Sequence, residues 1–344
     1  MVVSRTFVRI GIGAVLVLLN IGTALGQKET GVVAEVGGVN VTLADLQQEE
    51  AGKLLQAQYQ YYLAESKALD DLVDRRLLEQ KAKKEGLSVE QLLQRDITSQ
   101  IKEPTEDQVK VYYEGLETDQ PYEAVRSKIL EKIRQVRTDK ARTAYMKALH
   151  EETNVIVELA PPSADVNTEN AFVLGSKNAP VTLVEFADYE CPYCQKVAPD
   201  ITRLSAEFGS KLSVVFKDFP LPMHAHAAKA AEAALCAGEQ GKFWEYHDMI
   251  FRSKQLEVEQ LKGQATTLGL DATRFNKCLD SGAEAAAVQQ SRAQGTNLGL
   301  SGTPSFFVNG HFYSGALDFN ALHEIIARQL SSQQSQQVAM VSSK

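Results

Sequence analysis

Two cysteines three positions apart, Cys191 and Cys194, enclose Pro192 and Tyr193 directly after the apolar run Val181 to Phe186. A strand that ends in C-x-x-C and continues into a helix suits thiol chemistry. Cys191 then lies at the helix N-terminus, where unpaired backbone N–H groups and the positive end of the helix dipole stabilise a thiolate. Pro192 fits the first helical turn, where its missing N–H has no intrahelical partner to lose. Cys194 falls on the same helical face and is able to close a small disulfide ring with Cys191. The thiolate is the reactive species, and such sites bring thiol pKa values to about 3.5–7.5. Half of a zinc site is the alternative, and it needs a second ligand pair. Cys236 and Cys278 are far apart in sequence and neither belongs to a C-x-x-C or C-x-x-H pair, so the redox reading is favoured and no metal is expected.

Other residues with chemistry to offer are fewer. Glu185 is an acid inside an otherwise apolar strand, six residues before Cys191. Burial there raises a carboxyl pKa and suits proton exchange, whereas an edge position in a salt bridge would not. His224 and His226 are alternate residues of a helical stretch and point in different directions, with no carboxylate partner evident, so a solvated helix start is expected rather than a metal site. Tyr189 and Tyr193 flank the first cysteine and offer apolar surface to a substrate. Trp244, Tyr246 and Phe251 read as core packing. Cys236 and Cys278 are expected to form a structural disulfide, since free thiols do not persist in an oxidising compartment and the cysteine total of four is even. Two buried free thiols, or a pairing that involves Cys191, remain open at this stage.

These side chains need an oxidising compartment and a scaffold. Arg5 and Arg9 precede the apolar stretch Ile10 to Leu25, and Ala24-Leu25-Gly26 offers small residues for a signal peptidase. Residues 1–26 therefore read as a signal peptide cleaved after Gly26, giving a periplasmic or secreted product. An uncleaved anchor is less favoured, because the stretch is shorter than the ~20 apolar residues of a usual span and Asn20 interrupts it. The chain of 344 residues is long enough for about two domains. Its net charge of −8 argues against a nucleic-acid or anionic-membrane surface.

Taken in order, Val32–Val36 and Val39–Val41 flank Gly37-Gly38 as a short hairpin, and Thr42 with Asp45 forms a helix-capping pair. Helical patterns run from Leu43 to about Ser66, from Leu69 to Gly86, around Val89 to Leu93, around Glu106 to Tyr113, and after Pro121. Val155-Ile156-Val157 reads as a strand. The predicted organisation is a helical domain over 27–159, a Pro/Ser/Ala linker over 160–170 and a second domain over 171–330. That second domain reads strand, helix, strand, then a helical insertion at about 223–298, then a hairpin turned by Asn309-Gly310 and a last helix from Phe319 to Leu330. The Ser/Gln-rich 331–344 is expected to be a disordered tail.

Two resemblances follow from these stretches. The residues Val32-Val33-Ala34-Glu35-Val36-Gly37-Gly38, Leu72 to Leu78, and Pro104 to Val109 resemble the N-terminal domain of SurA-like and parvulin-type chaperones, over about residues 30–158. That implies a helical module able to hold extended polypeptide, or one that is structural. Val184-Glu185-Phe186, the Cys191–Cys194 motif and Gly302-Thr303-Pro304-Ser305-Phe306 resemble the DsbA-like branch of the thioredoxin fold, and Ala233–Ala237 with Phe243-Trp244 match its helical insertion. The implied fold is an α/β thioredoxin fold with a helical insertion, preceded by a mostly α-helical domain. The implied activity is thiol:disulfide exchange on exported proteins, with Cys191 as nucleophile, Cys194 as resolving thiol and Glu185 as a buried proton-exchanging acid. Pro304 would be cis, and Thr303, Pro192 and Tyr193 would contact substrate. Expected partners are proteins with cysteines or disulfides and a redox partner that recycles the site; no cofactor is expected. Disulfide isomerase or reductase action with chaperone activity, and a non-enzymatic holdase, are the rival readings.

Overall fold

The computed structural model describes residues 31–153 and 155–342, so the expected signal peptide lies outside the described residues. The described residues up to Ala51 form one compact unit and those from Gly52 a second. In the first, β1 (Val32–Val36) and β2 (Val39–Thr42) pair antiparallel around Gly37 and Gly38, whose φ angles of 60° and 81° suit glycine. Thr42 then caps α1 (Leu43–Glu49). Its hydroxyl accepts the Asp45 N–H, and the Asp45 carboxylate accepts the Thr42 N–H at 2.7 Å.

Next comes α2 (Ala51–Glu85), a single 35-residue helix where two patterned stretches were expected. No proline interrupts it, and its only glycine lies in its first turn. It leads to α3 (Val89–Asp96), α4 (Glu106–Glu114) and α5 (Tyr122–Glu152), the first two opened by capping boxes at Ser88 and Thr105. Leu77, Leu78, Ala82, Leu92, Met146 and Leu149 make one small core here, and Val109, Val125 and Ile129 another. The strand expected at Val155–Val157 does not form. Val155 turns back to donate its N–H to the Thr153 carbonyl and packs against the first of these small cores, while Ile156 is exposed, so no ladder is made.

The sheet that positions the cysteines consists of β3 (Val173–Gly175), β4 (Val181–Ala187), β5 (Leu212–Asp218), β6 (Ser305–Val308) and β7 (His311–Ser314), in the order β3-β5-β4-β6-β7. Here β4 and β5 run parallel, joined by α6 (Pro192–Phe208), whereas β6 runs antiparallel to β4. Between β5 and β6 lies an insertion of α7 (Ala227–Gly238), α8 (Phe243–Ser253), α9 (Val258–Thr267), α10 (Ala272–Ser281) and α11 (Ala285–Asn297). Asn309 and Gly310 turn the β6–β7 hairpin, as their sequence predicts. The short edge strand β3 was not legible as a strand.

Period-two alternation sorts the sheet's residues between two faces. Leu183, Val214, Phe306 and Val308 pack with Ile201 and Leu204 of α6 and with Leu322 and Ile326 of α12 (Phe319–Ser342). Val184, Phe186, Val215 and Phe307 pack with Leu55 and Tyr59 of α2. The Tyr59 hydroxyl accepts the Ser314 N–H at 3.1 Å, and its ring meets Phe312 edge-on at 4.7 Å. Helix α12 runs to Ser342, through the residues read as a disordered tail. No proline or glycine follows Leu330, and the Ala, Met, Ser and Gln present there do not break a helix. Among the described residues, no helix is long and apolar enough to cross a membrane.

Candidate active site

Cys191 is the N-cap of α6 and Pro192 its first residue, so the C-x-x-C motif occupies the first turn as its residues dictate. Both thiols are free; Cys191 keeps 4% of its surface exposed and Cys194 none. The Cys191 N–H donates to the Asp188 carbonyl at 3.1 Å, which fixes the approach of the chain to the helix. Across from it the Thr303–Pro304 bond is cis, and the Thr303 carbonyl faces the Cys191 Sγ at 3.5 Å. Hydrogen bonding from the Cys194 thiol does most to lower the Cys191 pKa, to about 5. The Thr303 hydroxyl and the Cys194 and Tyr193 N–H groups add to it, against the opposing effect of burial. Burial pushes Cys194 the other way, far above an ordinary thiol, and the hydrogen bond it gives Cys191 and the nearby Glu185 add to this. One thiol is thus tuned to be a thiolate and the other to keep its proton.

Glu185 lies on β4 with 2% of its surface exposed, and its Oε1 has no hydrogen-bond partner. Desolvation alone raises its pKa to about 8. A second acid, Asp218 at the end of β5, is buried on the same face of the sheet. Burial raises it to about 7 despite the neighbouring Lys217.

The structure brings together Cys191, Cys194, Glu185, Thr303 and Pro304. Pro192 starts the helix and Tyr193 is exposed beside the cysteines, free to meet a partner surface. Tyr189 does not join it there. It is buried against Phe216 and Phe251, because α8 packs over that segment, and it has no surface to offer a substrate. Trp244 packs partly buried beside the core, and Tyr246 and Phe251 are buried within it. Cys236 of α7 and Cys278 of α10 are bridged to each other, with an S–S distance of 2.03 Å and a Cα–Cα distance of 5.9 Å.

Reasoning from sequence passed over one residue that contacts the motif's approach, Asp188. Asp188 is buried, and its carboxylate accepts the Glu190 and Leu221 N–H groups at 2.7 Å each. It also meets the His224 Nδ1 at 2.8 Å. The solvated helix start expected at His224 is therefore corrected: the imidazole is largely covered and has a carboxylate partner 36 positions upstream. The Asp-x-Glu pattern before Cys191 was the available signal, but the pairing is tertiary and no local spacing reveals it.

The comparisons agree with this architecture. Residues 167–328 match a family model described as thioredoxin, and residues 2–106 one described as a SurA-like N-terminal domain. The Na(+)/H(+) antiporter NhaA 1 of Salinispora arenicola is 38% identical over 170 residues, which cover 48% of this chain and 25% of that protein. The Na(+)/H(+) antiporter NhaA of Herminiimonas arsenicoxydans is 38% identical over 169 residues, covering 49% of this chain and 26% of that one. The chain thus spans about a quarter of the length of these curated relatives. Among solved structures, oxidised BdbD from Bacillus subtilis superposes with a TM-score of 0.46 at 23% identity, covering 49% of this chain and 97% of that one. A thioredoxin-like oxidoreductase from Silicibacter pomeroyi gives 0.44 at 29% identity, covering 47% and 94%. Residues 167–328 carry a thioredoxin sheet interrupted between β5 and β6 by five helices, the helical insertion expected from the sequence, and residues 2–106 match a SurA-like N-terminal region.

Proposed function

We propose that this chain is an exported thiol:disulfide oxidoreductase that passes disulfides to cysteine-containing client proteins through the Cys191/Cys194 pair. The observation that carries the reading is the divergence of the two thiols, Cys191 lowered to about 5 and Cys194 raised well above its ordinary value, with an unpartnered carboxyl buried nearby. In the oxidised site, a client thiolate attacks the Cys191 sulfur and the Cys191–Cys194 bond breaks. Cys194 leaves as a thiolate and takes a proton from Glu185, which is largely neutral below pH 8. A second client thiolate then attacks the client sulfur of the mixed disulfide, and Cys191 departs as the stabilised thiolate. The client loses two electrons and the site gains them, so a separate redox partner has to reoxidise the pair.

The same pKa values support a direction. Stabilising the Cys191 thiolate stabilises the reduced site, which makes the disulfide form the stronger oxidant. This favours disulfide donation over reduction. Thr303 and Pro304, opposite the nucleophile, would receive the client backbone, and the exposed Tyr193 an adjacent client side chain. For the SurA-like region we infer a weak hold on unfolded clients. Antiport is not carried over from relatives of whose length this chain spans about a quarter.

The test is oxidative refolding of a reduced client by the oxidised full-length protein, compared with Cys191→Ser. Turnover that survives Cys191→Ser defeats the redox reading. Loss of turnover with retained suppression of client aggregation supports both parts of the proposal, and equal loss of both removes the chaperone role.

A further inference from the structure

The motif of this chain has no charge between its cysteines, since Pro192 and Tyr193 fill those positions. The loop between β5 and α7 folds back over the residues that lead into α6, and Asp188 fastens it there. One carboxylate oxygen takes the Leu221 N–H and the His224 Nδ1, at 2.7 and 2.8 Å, and the other takes the Glu190 N–H. A second clasp holds the same loop, in which Glu190 Oε2 accepts the His226 N–H at 2.8 Å. Asp188 is also tied to Cys191 through the main chain, its carbonyl accepting the Cys191 N–H.

We propose that His224, oriented by the buried Asp188 carboxylate, acts through Cys191 as a positioning residue, its imidazolium being the positive charge that steadies the departing thiolate and ties the oxidising strength of the site to pH. The inference rests on the exchange reaction proposed above. Asp188 orients the ring through Nδ1, leaving Nε2 to carry the other proton of the cation. The His224 ring contacts Asp188, and the charges of Glu190 and Cys191 also act on it. Burial disfavours the charged ring, but the Asp188 hydrogen bond and charge, with Glu190 and Cys191 further out, outweigh it and hold the pKa above the ordinary 6.5. His226 is not equivalent, since its Nε2 faces Glu257 at 3.6 Å.

The sign follows from charge. While His224 is protonated it favours the Cys191 thiolate and so the reduced site, which makes the couple more oxidising. As pH rises through the His224 pKa this support is lost, and the potential falls beyond the ordinary proton dependence of a dithiol couple.

The experiment uses the full chain and reads the Cys191 thiolate absorbance and the glutathione redox equilibrium from pH 4 to 9. Variants are His224→Asn, whose amide keeps a donor for Asp188 without charge, His224→Arg, which keeps charge at every pH, and His226→Asn as control. Circular dichroism and Tm confirm folding. His224→Asn is expected to lower the thiolate fraction near the midpoint of the Cys191 titration about three- to tenfold and the exchange constant at pH 6 by the same factor, or about 15–30 mV. The gap should close by pH 9, with His224→Arg restoring the constant and His226→Asn leaving it unchanged. A folded His224→Asn protein whose Cys191 titration and potential match the wild type overturns the inference. A wild-type Cys191 that titrates like a free thiol defeats the underlying exchange reading instead. If His224→Asn fails to fold, the wild-type and His224→Arg profiles decide: potentials that stay parallel from pH 6 to 9 overturn it.

Discussion

Replacing Glu185 with Gln isolates the cost of its buried carboxyl. The side chain is almost fully covered, its Oε1 has no partner, and desolvation moves its pKa from 4.5 to about 8. Because the folded-state value is raised, the folded protein keeps a proton that the unfolded chain releases. This contribution to stability is fully present below about pH 4.5, falls through the window up to pH 8, and is lost above it. The shift corresponds to about 5 kcal/mol at the high-pH limit, an upper bound because water penetration relaxes such costs. Glutamine has nearly the same shape and no titration. The stability of Glu185→Gln, followed by urea unfolding of the oxidised protein so that no thiol titrates, should therefore decline less than wild type between pH 4.5 and 9, by about 3–5 kcal/mol. Asp218 titrates in an overlapping range but does so in both proteins, so its effect cancels in the difference. The same substitution removes the proton that Cys194 takes on leaving, and should slow mixed-disulfide turnover on the order of a hundredfold while sparing small-molecule alkylation of Cys191. Parallel stability curves from pH 4.5 to 9 would refute the burial argument, and equal slowing of alkylation would make Glu185 a structural residue.

Further outcomes follow from the same geometry. At pH 6 a pKa of about 5 leaves about nine-tenths of Cys191 ionised, so in the reduced protein a small alkylating reagent should label Cys191 first; peptide mapping that finds Cys194 labelled first reverses the assignment of roles. Replacing both Cys236 and Cys278 with Ala opens a loop of 42 residues and should destabilise the protein by about 4 kcal/mol in denaturant unfolding. An unchanged midpoint would show that α7 and α10 do not need the bridge. Gly52→Ala would set a Cβ 2.5 Å from the Asn297 carbonyl and the Gly299 nitrogen, so the first turn of α2 has to move. A loss of about 1–3 kcal/mol is expected, and thermal unfolding that matches the wild type would show that this contact is not held in solution.

What the sequence disclosed was local. A cysteine as N-cap, a proline behind it and an apolar strand before it are neighbours in the chain, and their geometry follows from three or four residues. The same holds for the Asn309-Gly310 hairpin and for the capping pair of Thr42 and Asp45. The misreadings arose where distant segments decide. Tyr189 looked available because it stands beside the motif in sequence, but α8 arrives from some sixty positions downstream to cover it. Val155–Val157 has the composition of a strand and no ladder to join. The junction of two helical patterns near Leu69 looked like a break, yet only a glycine, a proline or a competing contact breaks a helix, and none is there.

The position of Asp188 shows why the electrostatics of the site were the hardest part to read. By itself Asp188 is one acid among many in an acidic chain, and His224 one histidine before a helix. Their meaning depends on the parallel β4–β5 pairing, which carries the ends of both strands to the same edge. Ala187 and Asp218 are partners, and the Phe219 N–H donates to the Ala187 carbonyl at 2.8 Å. Once that register is set, the loops leaving β4 and β5 start side by side, and Asp188 meets Leu221 and His224 of the second loop. The same register puts Glu185 and Asp218 on the face beneath the cysteines. The settings of the thiol pair, Glu185 and His224 thus all depend on one parallel strand pairing. A slip of that pairing by one residue would turn Asp218 to the opposite face and carry the loop that holds His224 out of step with Asp188, while leaving the C-x-x-C motif intact.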